Sequence, residues 1–216
     1  MSQLFDIESW DRKEHFHFFK NFEEPFFGVT FDVDVTYLYN YVKGSNISFY
    51  IAYLYAALKT ANEIKEFRLR IRGNDIVVLH HSIGASPTVY RPNGTFGFAH
   101  IDYHTDFFEF SSQMTQEIKR VEADNRLISV ENDDNTIHFS VLPWIKFTAI
   151  SHARSFSLRE SIPKISFGKI YEQNMQKLMP VSVHVNHAIM DGYHVGLFAE
   201  KFQEQLNQEL EKKKTV

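Results

Sequence analysis

The segment 187–192, His-Ala-Ile-Met-Asp-Gly, holds the residues best suited to chemistry. At neutral pH the imidazole of His187 can take a proton from a substrate and return it. Asp191, four positions later, could orient that ring or hold a nearby cation, and Gly192 permits a tight backbone. A strand that ends in a glycine turn presents such side chains at a cleft. This pattern predicts an acid–base site in which His187 is the base.

The same residues allow two other interpretations. His187 could be a structural histidine beside a capping Asp191, because His-x-x-x-Asp is a short pattern that often arises by chance. A metal site could use His187, Asp191 and His194, or the adjacent pair His80 and His81. The chain has no cysteine, and none of its predicted helices carries two His residues four positions apart, which disfavours zinc. Neighbouring side chains on a strand point to opposite faces, so His80 and His81 would not share one ion.

Composition disfavours several classes of function. The net charge is −4 without a long basic run, so we expect no nucleic-acid partner and no anionic membrane. No apolar stretch approaches the roughly 18 residues that span a bilayer, and the first residues lack the pattern of a signal peptide. The absence of cysteine removes disulfides and a Cys nucleophile and fits a reducing compartment. We therefore predict a cytoplasmic protein.

Two further observations concern the kind of site. The sequence has no Gly-x-Ser-x-Gly elbow, no phosphate-binding loop and no dinucleotide fingerprint. It has 21 Phe and 10 Tyr, more aromatic rings than one modest core can bury. Some of these rings are expected to line a pocket or a contact between subunits.

Hydrophobic periodicity predicts the elements that position these residues. Helices are predicted at 33–43, at 48–62 with Ser48 as cap, at 106–121 with Asp106 as cap, and after Gly192. Strands are predicted at 68–72 and 75–80 around a Gly73-Asn74 turn, and at 86–91, 95–101, 136–141, 145–151, 166–171 and 179–187. The polar stretch 124–135 is predicted to be a loop. Together these elements predict one α/β domain over residues 1–216, a two-layer sandwich with a mixed, mostly antiparallel sheet covered by helices.

The strand at 179–187 has the clearest alternation in the chain. Its two faces differ in character. One carries Val181, Val183 and Val185, and the other carries Ser182, His184 and Asn186. We expect the valine face to lie against the core.

Several segments resemble the chloramphenicol acetyltransferase family. The stretch Val-Asn-His187-Ala-Ile-Met-Asp191-Gly-Tyr-His194-Val-Gly is similar to that family's His-His-Ala-Val-Cys-Asp-Gly-Phe-His type segment. The stretch Trp10-Asp-Arg12-Lys-Glu-His-Phe resembles its N-terminal Trp-x-Arg-x-Glu-His-Phe segment. Segments at 87–89, 95–96, 142–147 and 166–169 follow in the family's order. The resemblance covers nearly the whole chain and implies a chloramphenicol acetyltransferase-like fold.

The resemblance implies an acetyl-CoA-dependent O-acetyltransferase that acts on chloramphenicol or a related small hydroxyl acceptor. His187 would be the general base, with its ring held through its own backbone carbonyl. Asp191 would pair with Arg12 and fix the loop, although sequence alone also allows Arg12 to be a surface residue. Family members are trimers with the active site at the subunit interface, which implies a homotrimer. No metal is implied.

The resemblance also gives positions to the binding residues. Lys169 would lie near CoA, where a cation could meet a phosphate, although it could equally be a solvated lysine at a strand edge. Ser166 matches a Thr that holds a water near the reacting centre. The remaining matched positions belong to the acceptor pocket: Phe18, Phe19, Thr88, Phe96 and Phe98.

The chain departs from the family's pattern at four positions. Ala149 stands where the family has a Ser whose hydroxyl stabilises the tetrahedral intermediate, and a strand at 145–151 would turn Thr148 to the opposite face. Phe19 replaces a common Tyr, Phe98 replaces a small residue, and Asn186 replaces the first His of a pair. These departures leave open a different acceptor, with Thr88 as another possible donor. They also leave open a degenerate paralogue that binds CoA or a small molecule without turnover.

Two other acyltransferase classes share the His-x-x-x-Asp-Gly pattern. Dihydrolipoyl acyltransferases normally carry a lipoyl domain and a linker before this domain, and this chain shows neither. Condensation-type enzymes are about twice as long. Both are weaker alternatives.

Overall fold

A computed structural model describes residues 1–73, 75–127, 134–154 and 160–210. Asn74 of the predicted Gly73-Asn74 turn and residues 128–133 of the predicted loop lie outside this description. The helices are α1 (Lys13–Phe19), α2 (Thr36–Val42), α3 (Phe49–Glu63), α4 (Phe107–Ala123) and α5 (Gly192–Leu206). The strands are β1 (Ser2–Leu4), β2 (Phe26–Asp34), β3 (Leu69–Arg72), β4 (Ile76–His80), β5 (Gly84–Tyr90), β6 (Phe96–Phe98), β7 (Thr136–Val141), β8 (Lys164–Phe167), β9 (Tyr171–Gln173) and β10 (Gln176–Asn186).

The main sheet has the strand order β2-β10-β8-β7-β5-β6, and β9 also pairs with β10. Strands β5, β7 and β8 are parallel neighbours, whereas the pairs that involve β2, β6, β9 and β10 are antiparallel. A small antiparallel sheet has the order β1-β4-β3. The predicted mixed, mostly antiparallel sheet covered by helices is confirmed.

One face of the main sheet packs against the helices. The valines predicted for the core face of β10, Val181, Val183 and Val185, are fully buried in the apolar cluster that includes α3 and α5. Both predicted helix caps are present. The Ser48 hydroxyl accepts a hydrogen bond from the Ile51 amide, and the Asp106 carboxylate accepts from the first turn of α4.

The opposite face of the main sheet is polar, and its cross-strand neighbours form what we call the polar ladder. One row of the ladder runs through Gly28, His184, Lys164, His138 and Ser86, and the next through Thr30, Ser182, Ser166 and Ser140. Gly28 leaves room in the first row for the ring of His184, which a methyl group at this position would displace. This face explains the polar half of the alternation in β10.

The prediction of a helix at 33–43 is wrong at its start. Residues 26–34 form β2, and the helix α2 begins only at Thr36. Strand β2 pairs with β10 along its whole length, from Phe26 opposite Asn186 to Asp34 opposite Leu178. This pairing joins segments about 150 residues apart in the chain, so the local sequence pattern did not predict β2.

The predicted strands at 145–151 and 166–171 are also wrong. After β7 the chain leaves the sheet in a turn at Pro143, which has no amide hydrogen to donate to a ladder. Residues 142–154 contain no strand. Strand β8 begins two residues earlier than predicted and ends at Phe167, and the next residue, Gly168, packs closely against the ring of Phe147. The alternation argument for Thr148 therefore does not hold.

Candidate active site

His187 follows directly after β10, a strand inside the sheet, and its amide donates to the Pro25 carbonyl at 2.7 Å. Its side chain is half-buried, and Nδ1 lies 3.1 Å from the carbonyl oxygen of Met190. A carbonyl only accepts, so Nδ1 carries the hydrogen and Nε2 of the neutral ring has a free lone pair. The expectation that the ring is held by its own carbonyl is wrong, since the carbonyl of Met190 takes that place.

Two aromatic rings hold the imidazole of His187 from its sides. Phe19, in the last turn of α1, stacks on it with 4.0 Å between ring centroids and 14° between planes. Phe27 of β2 contacts it at 4.7 Å with a tilt of 48°. The hydrogen bond to Met190 and these two contacts together restrict rotation of the ring.

Arg12 secures the loop that carries His187. Its guanidinium forms an ion pair with Asp191 and also donates to the backbone, from Nε to the Ile189 carbonyl at 3.1 Å and from Nη2 to the His187 carbonyl at 3.3 Å. The fork geometry of arginine suits several acceptors at once. The structure therefore places Arg12 inside the site and not on the open surface.

Asp191 caps helix α5. Its carboxylate accepts from the Tyr193 amide and contacts His194 Nδ1 at 2.9 Å in a capping box. Burial opposes ionisation of Asp191, but the charge of Arg12 and the hydrogen bond to His194 outweigh it and lower the pKa of the carboxyl group. Asp191 is thus an ionised support for the loop.

No metal-binding arrangement exists among the described residues, within which no group of three or more His, Cys, Asp or Glu side chains is placed to hold an ion. Asp191 is engaged by Arg12, and His187 Nδ1 is engaged by Met190. Nor does any described helix have the length and apolar character needed to cross a bilayer.

A cleft of about 690 Å³ lies at the other end of the sheet, between β5, β6, β7 and α4. Its walls are mainly apolar, and Phe96 and Trp144 contribute large exposed rings. Thr88 and Ser140 supply hydroxyl groups. Buried Arg91 fixes this wall, because its guanidinium donates to backbone carbonyls of the β5–β6 hairpin and of the end of α4. The cleft can accept an aromatic or apolar molecule with a few polar groups.

A smaller pocket of about 330 Å³ adjoins the cleft. The two share Tyr50, Val141 and Pro143 as common walls, and Lys169 lines the smaller one. The Tyr50 hydroxyl is buried and has no hydrogen-bond partner among the described residues. An elongated molecule could extend from the cleft into this pocket and reach the cation of Lys169.

His187 and the cleft do not meet within one chain. The β10 and β5 strands are three strand spacings apart, and His187 lies about five residues along the strands from Thr88. With spacings of ~4.8 Å across a sheet and ~3.3 Å along a strand, the separation is roughly 20 Å. His187 and the cleft thus lie at opposite ends of the same sheet.

Comparison with known proteins agrees with these features, since the family model described as chloramphenicol acetyltransferase matches residues 2–203. The chain belongs to the chloramphenicol acetyltransferase family. It is therefore an acyltransferase. The chloramphenicol acetyltransferase of Clostridium butyricum is 30% identical over 203 residues, which cover 93% of each chain. The chloramphenicol acetyltransferase 3 of Escherichia coli is 28% identical over 208 residues, or 95% of this chain and 97% of that one.

Solved structures agree with this assignment. A chloramphenicol acetyltransferase superposes with a TM-score of 0.88 at 32% identity, covering 95% of this chain and all 100% of the other. A probable dihydrolipoamide acetyltransferase from Listeria monocytogenes superposes with a TM-score of 0.67 at 13% identity, covering 92% and 93% of the two chains. The second likeness shows a shared fold alone.

The other positions matched to the chloramphenicol acetyltransferase family are spread over both ends of the sheet. Phe18 is 65% exposed on α1, beside Phe19 and far from the cleft. Phe98 contacts Phe96 edge-on at 5.6 Å. Ser166 is fully buried in the polar ladder, and Ala149 is exposed in the segment after β7. The family's acceptor positions therefore do not form one pocket in a single chain.

Asn186, which replaces a His of the chloramphenicol acetyltransferase pattern, supports the turn that carries His187. Its side chain accepts from the Ala188 amide at 3.0 Å and donates to the Glu160 carbonyl at 3.2 Å. An asparagine can fill both roles because its amide carries an acceptor and a donor.

Sequence reasoning missed His152. This residue lies in the segment without strands and lines both the 690 Å³ cleft and a 220 Å³ cavity above the polar ladder. Burial, together with the neighbouring His184, lowers the pKa of His152 to about 4. No periodicity or motif marks this position, so the sequence carried no signal for it.

Proposed function

We propose that the chain is an acetyl-CoA-dependent O-acetyltransferase that uses His187 as general base toward a hydroxyl of chloramphenicol or a related small acceptor. The observation that carries this proposal is the fixed imidazole of His187, whose Nδ1 is bound to the Met190 carbonyl and whose Nε2 is left as an acceptor. A general base needs this tautomer and a restricted ring. The stacked ring of Phe19 and the bonds of Arg12 supply the restriction.

The proposed reaction is a direct acyl transfer. Nε2 of His187 takes the proton of the acceptor hydroxyl while that oxygen attacks the thioester carbonyl carbon of acetyl-CoA. The new C–O bond gives a tetrahedral intermediate with a negatively charged oxygen. When the C–S bond breaks, the imidazolium returns the proton to the CoA sulfur, so the products are the acetyl ester and free CoA.

The two adjoining pockets suit the two substrates of this reaction. We assign the apolar cleft with Thr88 and Phe96 to the acceptor. The adjoining pocket is assigned to part of CoA, where Lys169 can meet a phosphate. Acetyl-CoA is then a co-substrate, and no metal takes part in the proposed mechanism.

We further propose a homotrimer with each active site shared between two subunits. The roughly 20 Å between His187 and the cleft in one chain supports this arrangement, since the base can reach an acceptor only in the cleft of a second copy. The exposed aromatic rings near both, Phe18 and Trp144, are suited to such a contact. We place this enzyme, as one catalytic domain over residues 1–216, in the cytoplasm, in keeping with its lack of cysteine.

A second candidate function is CoA or small-molecule binding without turnover. Ala149 favours it, because it removes the hydroxyl that would stabilise the intermediate. Loss of one such donor typically costs ~100- to 1000-fold in rate. The altered positions Phe19 and Phe98 leave open a further alternative. The chain could be an acetyltransferase whose acceptor is not chloramphenicol.

A thiol-release assay with acetyl-CoA separates these functions. The full-length protein is mixed with chloramphenicol or with other small alcohols, and free CoA is measured over time. We expect CoA release with at least one acceptor, loss of that release in His187→Ala, and unchanged release in the control His81→Ala, whose imidazole is exposed away from the cleft. Tight binding of CoA without release from any acceptor would support the binding protein instead.

A further inference from the structure

Ala149 carries no hydroxyl, so the negative oxygen of the proposed intermediate needs another donor. The segment that carries Ala149 continues along the cleft, and Ile150 and His152 form part of its wall. A donor for this oxygen has to lie in the wall of the cleft. His152 is the imidazole in that wall, three residues after Ala149 on the same segment.

The ring of His152 is held in place from the sheet side. It contacts the ring of His184 edge-on at 4.8 Å, with 90° between planes, and its Nε2 lies 3.4 Å from the hydroxyl oxygen of Ser166. His184 in turn lies over Gly28, which has no side chain to displace it. The polar ladder therefore fixes the orientation of His152 at the boundary between the two cavities.

The hydrogen-bonding capacity of His152 suits a donor. The Ser166 hydroxyl can donate to Nε2, which leaves the hydrogen of the neutral ring on Nδ1. Nδ1 has no hydrogen-bond partner among the residues that the structure describes. Burial keeps the pKa of the His152 ring low. At neutral pH the ring is therefore an uncharged donor, and it does not compete with His187 for the proton of the acceptor hydroxyl.

We propose that His152 donates a hydrogen bond to the negative oxygen of the tetrahedral intermediate, in the role of the hydroxyl that is missing at Ala149. This inference rests on the proposed acetyl transfer. His152 would then be a second catalytic imidazole, distinct from the base. It accepts no proton from the acceptor and acts on charge that appears only during the reaction.

The test compares four proteins in the thiol-release assay: the unaltered chain, His152→Ala, Ala149→Ser and the double variant. We expect His152→Ala to lower kcat by ~100- to 1000-fold, the range for loss of one such donor, with less than a ~3-fold change in KM for acetyl-CoA. The double variant should recover at least ~10-fold of that loss, because the substitution Ala149→Ser restores a hydroxyl donor. His152→Gln, which keeps an N–H donor, should retain more activity than His152→Ala.

Two further readouts keep the test decisive. Thermal melting of each variant separates loss of a donor from loss of folding. If His152 is a donor, the double variant should recover kcat even where its melting temperature stays as low as that of His152→Ala. If His152 has only a structural role, kcat should not recover unless the melting temperature does. A kcat in His152→Ala within ~5-fold of the unaltered chain, or no recovery on adding Ala149→Ser, would overturn the inference. Failure of the proposed function looks different, since the unaltered chain would then release no CoA or His187→Ala would release it normally.

Discussion

Phe19 and His187 stack face to face, with 4.0 Å between their ring centroids and 14° between their planes. The two residues are far apart in the sequence, and the contact forms because α1 packs over the end of β10 beside Pro25 and Phe27. The stack on one flat face and the hydrogen bond from Nδ1 to the Met190 carbonyl together restrict the ring, so the free nitrogen of His187 keeps one direction. Phe19 thus packs against His187 and does not line the cleft.

The stack gives a prediction for Phe19→Leu. Aromatic pairs contribute ~0.5–1.5 kcal/mol beyond simple burial, so loss of the stack should lower kcat by roughly 2- to 10-fold. KM for acetyl-CoA should change little, because Phe19 does not line the pockets assigned to the substrates. Steady-state kinetics measures both constants. The matched control is Phe22→Leu, which removes a ring from the same cluster, and equal activities for the two variants would contradict the positioning role.

A second prediction concerns Arg12. Arg12→Met removes the partner of Asp191 and the donors to the Ile189 and His187 carbonyls, while it keeps much of the side-chain volume. Asp191 is partly exposed, so the cost in unfolding free energy should fall near the lower limit for a broken buried pair, about 3 kcal/mol. For a chain of this size that corresponds to a fall in Tm of roughly 6–12 °C.

The kcat of Arg12→Met should fall by more than the loss of folded protein explains, because the loop that carries His187 loses three attachments. Calorimetry and the thiol-release assay at a temperature below both melting points measure the two effects. A double-mutant cycle with Asp191→Asn should be strongly non-additive. Additive losses, or equal losses in the surface control Lys13→Met, would contradict the assigned pair.

A third prediction is a loss of stability in acid. Burial lowers the pKa of His138 to about 4, despite the nearby carboxylate of Glu160, and that of His152 also to about 4. In the unfolded chain a His titrates near ~6.5, so between these values the unfolded state binds more protons. The stability that depends on neutral His138 and His152 is therefore complete above pH ~6.5 and is lost as the pH falls toward 4.

Urea unfolding between pH 7.5 and 4.5 measures this dependence. Each such His contributes a slope of up to ~1.4 kcal/mol per pH unit in the free energy of unfolding. His138→Gln should make the profile shallower by up to one proton, whereas His81→Gln, a change at an exposed ring, should leave it unaltered. Identical slopes for the unaltered chain and His138→Gln would show that the imidazole of His138 titrates normally in the folded protein.

A fourth prediction follows from the separation of His187 and the cleft. Chains with His187→Ala keep an intact cleft, and chains with Ser140→Trp keep the base but fill the cleft. Each variant alone should be inactive. If sites are shared between subunits, random co-assembly of equal amounts should restore about a quarter of the unaltered activity, since each site draws one part from each of two chains. No activity in the co-assembled mixture would place both parts in one subunit.

The sequence by itself predicted the elements whose signals are local. Capping residues marked α3 and α4, the spacing of apolar residues marked the buried face of α5, and the alternation of β10 separated its valine face from its polar face. The order of residues from His187 to His194 predicted an acid–base site, whereas Arg12 as the partner of Asp191 was implied only by the resemblance to the family. The caps, the helix faces and the strand alternation are visible because residues within a few positions of one another set hydrogen bonds and side-chain direction.

Only the tertiary structure decided which groups meet. It placed Met190, and not His187 itself, as the acceptor for the ring, laid Phe19 against that ring, and set His152 between the cleft and the polar ladder. It also corrected β2 and the segment after β7, whose paths depend on pairing and packing with distant parts of the chain. The contact of Phe19 with His187 and the pairing of β2 with β10 join residues more than a hundred positions apart. Such contacts are fixed by the burial of the whole core, and no local window of sequence contains that information.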